Sequence, residues 1–67
     1  MIHLNGDPSS LGPGTTVAGA VERLGLEPQA RGVAVAVNGE VVPRGQWSAR
    51  VLEDDARVEV VGAMQGG

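Results

Sequence analysis

The sequence predicts an α+β fold in which one helix packs across a single mixed β-sheet. Two Asn-Gly pairs, at 5–6 and 38–39, each follow a short segment with the spacing of a strand, which is typical of tight hairpins. Between them lies one segment with apolar residues at helical spacing. The aliphatic residues are mostly valine, eleven in all, and Trp47 is the only aromatic residue, a balance that favours sheet over helix.

The first hairpin is predicted at the N-terminus. Apolar Ile2 and Leu4 alternate with polar residues, as in a strand with one buried face. Asn5-Gly6 provides the two positive φ angles that a two-residue turn requires. A short second strand should follow, with Leu11 as its contact with the core.

A single helix is predicted after Pro13-Gly14. The hydroxyl of Thr15 or Thr16 can cap its first turn. Gly25 is placed to end the helix in a left-handed conformation, and Pro28 prevents its continuation. The predicted buried face consists of Val17, Ala20, Val21 and Leu24.

Three more strands complete the predicted order ββαβββ. Residues 33–37 alternate Val with Ala, so the valines share one face and the alanines the other. The turn at 38–39 returns the chain to Val41-Val42, and Pro43 stops the pairing because it has no N–H. A helical turn is expected within 47–52, and residues 57–61 form the last strand.

Composition limits the classes of function. The 67 residues suffice for one domain, predicted at 1–61, followed by a flexible tail at 62–67. The net charge of −3 makes nucleic-acid binding unlikely. With no apolar run long enough to span a membrane and no signal peptide, the expected location is the cytoplasm.

The most informative feature is the C-terminal Gly66-Gly67, which follows the last predicted strand closely. Glycine has no Cβ, so such an end is thin enough to enter a narrow active site and present its carboxylate there. A frayed terminus is the simpler interpretation of Gly-Gly taken alone.

The chain resembles the ThiS family of thiamine-biosynthesis sulfur carriers over nearly its whole length. The resemblance includes the opening residues 2–6, the helix boundaries and residues 35–44, which end in Val-Pro-Arg. Its specific parts are that Val-Pro-Arg stretch followed by Trp47, and the Gln-Gly-Gly end. The acidic turn at 53–55 departs from the glycine expected there, which affects turn geometry more than function.

The resemblance implies a β-grasp, or ubiquitin-like, fold with the first and last strands as parallel central neighbours. It also implies that a ThiF-type adenylating enzyme uses Mg-ATP to activate Gly67, with Gly66 giving reach. A persulfide then supplies sulfur, and the Gly67 thiocarboxylate delivers it to thiazole synthase (ThiG). Ala63, Met64 and Gln65 would line the entry channel of the partner.

By this interpretation the chain is a carrier and not an enzyme, it binds no cofactor or metal, and the free form is a monomer. Acyl-adenylation suits this carboxylate, which is anionic at neutral pH and a poor electrophile until activated. His3 is interpreted as a strand residue without the orienting partner that a base needs. The carboxylates at 53–55 are interpreted as a solvated turn, and Arg44 as an exposed residue.

Two possible partner surfaces remain open at the sequence level. Trp47 is either a core residue, which we favour, or an exposed docking anchor. Val61 lies off the main core together with Ala34 and Ala36, so these three residues form either an exposed apolar patch or packing under the tail.

Alternative functions also remain open. A related carrier for molybdopterin or cysteine synthesis would use the same chemistry at Gly67 with another acceptor. A ubiquitin-like modifier or interaction domain would instead join Gly67 to lysines of targets, although the chain has no lysine of its own. A ferredoxin-type carrier is excluded by the absence of cysteine.

Overall fold

The computed structural model describes residues 1–27 and 31–62, which form one five-stranded sheet with a helix against one face. The strand order is β2-β1-β5-β3-β4. The elements, in chain order, are β1 (His3–Leu4), β2 (Asp7–Pro8), α1 (Val17–Arg23), β3 (Val33–Val37), β4 (Glu40–Val42), a 3-10 helix (Arg44–Gln46) and β5 (Arg57–Gly62).

The last strand lies at the centre of the sheet. β5 pairs in parallel with β1, where His3 is opposite Arg57. On its other side β5 pairs antiparallel with β3, from Val37 opposite Val58 to Val33 opposite Gly62. The ββαβββ order and the parallel central pair implied by the resemblance are therefore confirmed.

Both Asn-Gly turns form as predicted. The φ angles are 52° at Asn5 and 86° at Gly6, and 51° and 86° at Asn38 and Gly39. Positive φ at both central residues is the geometry that matches the twist of the flanking strands. Each turn therefore sets the register of its hairpin, with Leu4 opposite Asp7 in the first.

The helix begins where its sequence predicts. Thr16 is the N-cap, and its hydroxyl accepts a hydrogen bond from the Gly19 N–H at 3.2 Å. Gly25 has φ 82° just after the C-cap, as predicted. Leu24 was expected on the buried face but is 38% exposed, because the helix ends at Arg23 and Leu24 is already its C-cap.

The core lies between α1 and one face of the sheet. Val17 and Val21 from the helix are fully buried there, and Trp47 is 3% exposed. The remaining buried apolar residues are Ile2, Leu4, Ala20, Val35, Val37, Val42, Leu52, Ala56, Val58 and Val60. The alternation in β3 and β5 thus directs one set of side chains inward and leaves the other on the opposite face of the sheet.

Three predicted positions differ from the structure. The second strand is Asp7–Pro8, immediately after the turn, and Leu11 lies beyond it, packed at the edge of the core. The helical turn predicted within 47–52 is present, since the Arg50 N–H donates to the Gln46 carbonyl at 2.8 Å, but the helical segment begins earlier, with a 3-10 helix at Arg44–Gln46. The last strand extends to Gly62, one residue past the predicted domain boundary; Pro28 lies outside the described residues.

Candidate functional site

The C-terminal tail leaves the domain from the central strand. Gly62 is the last residue of β5 and pairs with Val33. The predicted site residues Ala63, Met64, Gln65, Gly66 and Gly67 lie outside the described residues. The tail therefore begins at the end of β5 that pairs with β3, since β1 reaches only Arg57 and Val58 of this strand.

An apolar surface lies beside this origin, on the face of the sheet away from the helix. It consists of Ala34, Ala36, Val41 and Val61 and is called the open face below. The register places Ala34 opposite Val61 and Ala36 opposite Val41. Val41 is 75% exposed and Val61 65% exposed, and together with the alanines they line a shallow depression. No described residue covers the open face, and the tail that the second interpretation of Val61 requires lies outside the described residues.

A polar surface continues the open face toward the hairpin turns. His3, Arg57 and Glu59 line a second depression there, and Glu59 also borders the first. Within the described ranges, neither Arg57 nor Glu59 makes an ion pair. In the part of the chain that the structure describes, the buried Nδ1 atom of His3 has no hydrogen-bond partner, so no described residue orients the ring through Nδ1 as a general base.

The two turn asparagines attach both hairpins to β5. The Asn5 N–H donates to the carbonyl of Val58, and the Asn5 Oδ1 accepts from the Val60 N–H, both at 2.8 Å. Asn38 mirrors this arrangement: its N–H donates to the Arg57 carbonyl at 2.8 Å and its Oδ1 accepts from the Arg57 N–H at 2.9 Å. Each side-chain amide extends the ladder past the end of its own strand and so fixes the strand that leads to the tail.

Trp47 belongs to the core and not to a docking surface. Its indole Nε1 donates to the Val42 carbonyl at 2.8 Å, and its ring is buried. The guanidinium carbon of Arg44 lies 4.6 Å from the ring centroid, a cation–π distance. The core interpretation of Trp47 is confirmed, and Arg44 is exposed as expected, with its guanidinium over the outer side of the ring.

The acidic turn at 53–55 binds the amino terminus. The Met1 ammonium donates to the carboxylates of Asp54 at 2.5 Å and Asp55 at 2.9 Å. These hydrogen bonds raise the pKa of the ammonium above its ordinary 8.0 and lower the pKa of Asp54 below 3.8. In the described part of the chain, no three His, Cys, Asp or Glu side chains group as metal ligands would, and no helix there is both long and apolar enough for a bilayer.

Sequence reasoning missed Val41 as part of the open face. The sequence does contain the information needed, because a two-residue turn at 38–39 places Val41 opposite Ala36. It also missed that Arg57 and Glu59 share a face with Val61, although alternation along one strand requires this.

Comparison with known proteins identifies the family. The model of the ThiS family matches residues 2–67. The sulfur carrier protein ThiS of Thermus thermophilus is 42% identical over 67 residues, which cover all of both chains. A thiazole synthase of Magnetococcus marinus is 46% identical over 66 residues, which are 98% of this chain but 20% of that protein. The chain therefore spans about a fifth of the length of the latter relative.

Two solved structures share the fold. The crystal structure of the thiamine biosynthesis protein ThiS from Geobacter metallireducens superposes with a TM-score of 0.76 at 32% identity, covering 98% of this chain and 97% of that one. A solution structure of a thiamine biosynthesis protein from the same organism gives a TM-score of 0.77 at 32% identity, with 98% and 86% covered. The strand order described above is thus that of a β-grasp domain.

Proposed function

This chain belongs to the ThiS family of thiamine-biosynthesis sulfur carriers, and we propose that it carries the sulfur as a thiocarboxylate on Gly67. One observation carries the proposal: the family match extends through the terminal Gly-Gly, which follows the central strand by a few residues. The protein is a carrier on which other proteins act, and not itself a catalyst.

The chemistry begins with the terminal carboxylate. It is anionic at neutral pH, so a sulfur nucleophile cannot attack it directly. A ThiF-type adenylating enzyme binds Mg-ATP, and a carboxylate oxygen of Gly67 attacks the α-phosphorus while pyrophosphate leaves. The product is an acyl-adenylate whose leaving group is AMP. Because this step consumes ATP, we place the carrier in the cytoplasm.

Sulfur then replaces AMP. The terminal sulfur of a persulfide attacks the Gly67 carbonyl carbon, so a C–S bond forms and AMP leaves. A second thiol cleaves the S–S bond, which yields a disulfide and leaves the thiocarboxylate on Gly67. The thiocarboxylate sulfur is nucleophilic near neutral pH and attacks the electrophile that the acceptor provides.

The acceptor in this proposal is a thiazole synthase (ThiG). The Magnetococcus marinus thiazole synthase supports it, because a domain similar to this chain occupies part of that protein. Sharing one polypeptide raises the effective concentration of a carrier at its acceptor.

A narrow entry to the active site of the partner would explain why the tail ends in two glycines. Gly66 and Gly67 have no side chains, so the reacting carbonyl can reach a buried centre. Ala63, Met64 and Gln65 would occupy the channel that leads there. The open face next to Gly62 gives the adenylating enzyme an apolar surface that it can bind while it receives the tail.

The test is intact mass spectrometry after incubation with a ThiF-type enzyme, ATP and a persulfide donor. We expect a mass gain equal to replacing one oxygen by sulfur, located at Gly67, and none after deletion of Gly67. Gly45→Ala is the matched control, because a Cβ at Gly45 meets nothing within 4 Å and lies far from the tail in sequence. Adducts on lysines of other proteins would identify a modifier, and no change with an active enzyme would contradict the proposal.

A further inference from the structure

The Asn38-Gly39 turn brings together the groups needed for a spontaneous covalent change. Asn38 is exposed, and the next residue in the chain is Gly39, whose main-chain nitrogen is the candidate nucleophile for the Asn38 side-chain amide. Among the described residues, no acceptor takes a hydrogen bond from the Gly39 N–H. A Cβ at Gly39 would meet nothing within 4 Å, so the turn has open space beside Gly39.

The strand next to the turn holds the amide in place. The Arg57 N–H donates to the Asn38 Oδ1 at 2.9 Å. Since the side chain is held, the main chain of the turn is the part that must rotate, and glycine makes that rotation easy.

We propose that Asn38 is a deamidation site of the folded protein and reacts before Asn5. The Gly39 nitrogen attacks Asn38 Cγ, the Cγ–Nδ2 bond breaks, and the proton from Gly39 leaves with the nitrogen as ammonia. Water then opens the five-membered imide at either carbonyl, which gives aspartate or isoaspartate. No electrons are transferred, and the net change is one water consumed and one ammonia released.

Asn5-Gly6 is the internal comparison, because it has the same sequence and almost the same φ angles. The hydrogen bond from Val60 to the Asn5 Oδ1 is partly buried, whereas the bond from Arg57 to Asn38 is exposed. Water replaces an exposed partner at once, but opening the Asn5 turn leaves the Val60 N–H poorly solvated. The turn at 38–39 therefore opens more often.

The two products differ in their effect on the fold. Aspartate keeps an oxygen where the Arg57 N–H donates. Isoaspartate adds a carbon to the main chain inside the two-residue turn that sets Val37 opposite Glu40, so it disturbs this register. Only isoaspartate at position 38 should lower the thermal midpoint of the protein.

The experiment follows both sites in one sample of the intact chain. The protein is incubated in mildly alkaline buffer at physiological temperature, and peptides containing residues 5 and 38 are assayed for isoaspartate and for the mass change of amide to acid. In the folded chain we expect Asn38 to react roughly tenfold faster than Asn5, the ratio for protective hydrogen bonds that differ by about 1.4 kcal/mol. In guanidinium the two rates should become similar, because both asparagines precede glycine.

Asn38→Asp is the variant control. It should keep the thermal midpoint of the fresh protein and lose the early reaction, while Asn5 still reacts slowly. Equal rates in the folded chain, a faster reaction at Asn5, or no reaction at Asn38 while the denatured chain deamidates would each overturn the proposal.

Discussion

At the scale of single residues, Trp47 joins the core to the edge strand. Its ring fills space among small aliphatic side chains, and its N–H satisfies the Val42 carbonyl at the end of β4. Arg44 covers the ring from outside. One side chain thus connects the 3-10 segment, the edge strand and the core.

Trp47→Phe should lower the free energy of unfolding by about 1–3 kcal/mol, because the Val42 carbonyl loses a buried donor and the smaller ring leaves a void. Chemical denaturation followed by circular dichroism measures the change. Val41→Ala is the control, since this exposed side chain should contribute less than about 0.5 kcal/mol. Equal effects of the two substitutions would contradict the role assigned to the indole.

At the scale of elements, the short helix depends on its cap. α1 has seven residues, too few to be stable alone, so its start is fixed by Thr16 and by packing of Val17 and Val21. The Thr16 hydroxyl accepts from the Gly19 N–H, which would otherwise lack an intrahelical partner.

Thr16→Ala should destabilise the domain by about 1 kcal/mol, the usual effect of removing an N-cap hydroxyl. The thermal midpoint, measured by calorimetry, should fall by several degrees for a domain of this size, on the order of 4–8 °C. Thr16→Ser should keep most of the stability because its hydroxyl is retained. Loss of the same magnitude in both variants would place the effect in the lost methyl group and not in the cap.

Local sequence patterns predicted the elements whose geometry is determined by the residues within them. The turns at 5–6 and 38–39 and the alternation of β3 needed only neighbouring residues, so they were predicted correctly. The position of β2 was not, because Asp7 and Pro8 have weak strand propensity and pair only through the register that the preceding turn sets. The side-chain bonds of Asn5 and Asn38 to β5 join residues far apart in sequence and leave no local signal.

At the scale of the whole molecule, the two faces of the sheet have different tasks. One face is covered by α1 and holds the core. The other face carries the open face and ends beside the tail. If the proposed partner binds the open face, binding and folding depend on separate sets of side chains, so each can be tested without disturbing the other.

Val61→Glu should weaken binding of the adenylating enzyme at least tenfold, about 1.4 kcal/mol, while leaving the thermal midpoint nearly unchanged. A carboxylate in the centre of an apolar contact must lose water without gaining a partner. Titration calorimetry measures the affinity. Val51→Glu is the matched control, since Val51 is also exposed, at 52%, but is not part of the open face. Equal weakening of binding by the two substitutions would exclude the open face as the docking surface.

Stability should also depend on pH through the amino terminus. The pKa of Asp54 is lowered by its hydrogen bond from the Met1 ammonium, so this contribution is present above pH 3.8 and is lost as the pH falls through the folded-state pKa. The pKa of the ammonium is raised, so its contribution is present below pH 8.0 and is lost as the pH rises through its folded-state value. Both groups are exposed, so the contribution should be small and weakened by salt.

Thermal midpoints measured from neutral to alkaline pH test this linkage. A protein acetylated at Met1 should lack the alkaline part of the dependence, and Asp54→Asn should reduce it, since Asp55 remains as an acceptor. An unchanged alkaline profile after acetylation would assign the dependence to another group.

The central position of β5 also determines how the domain responds to force. β5 is bonded to β1 on one side and to β3 on the other. Ladder hydrogen bonds run across the strands, so a pull along the axis loads them together in shear and does not open them one at a time. β5 should therefore resist a pull along its axis better than a pull across it.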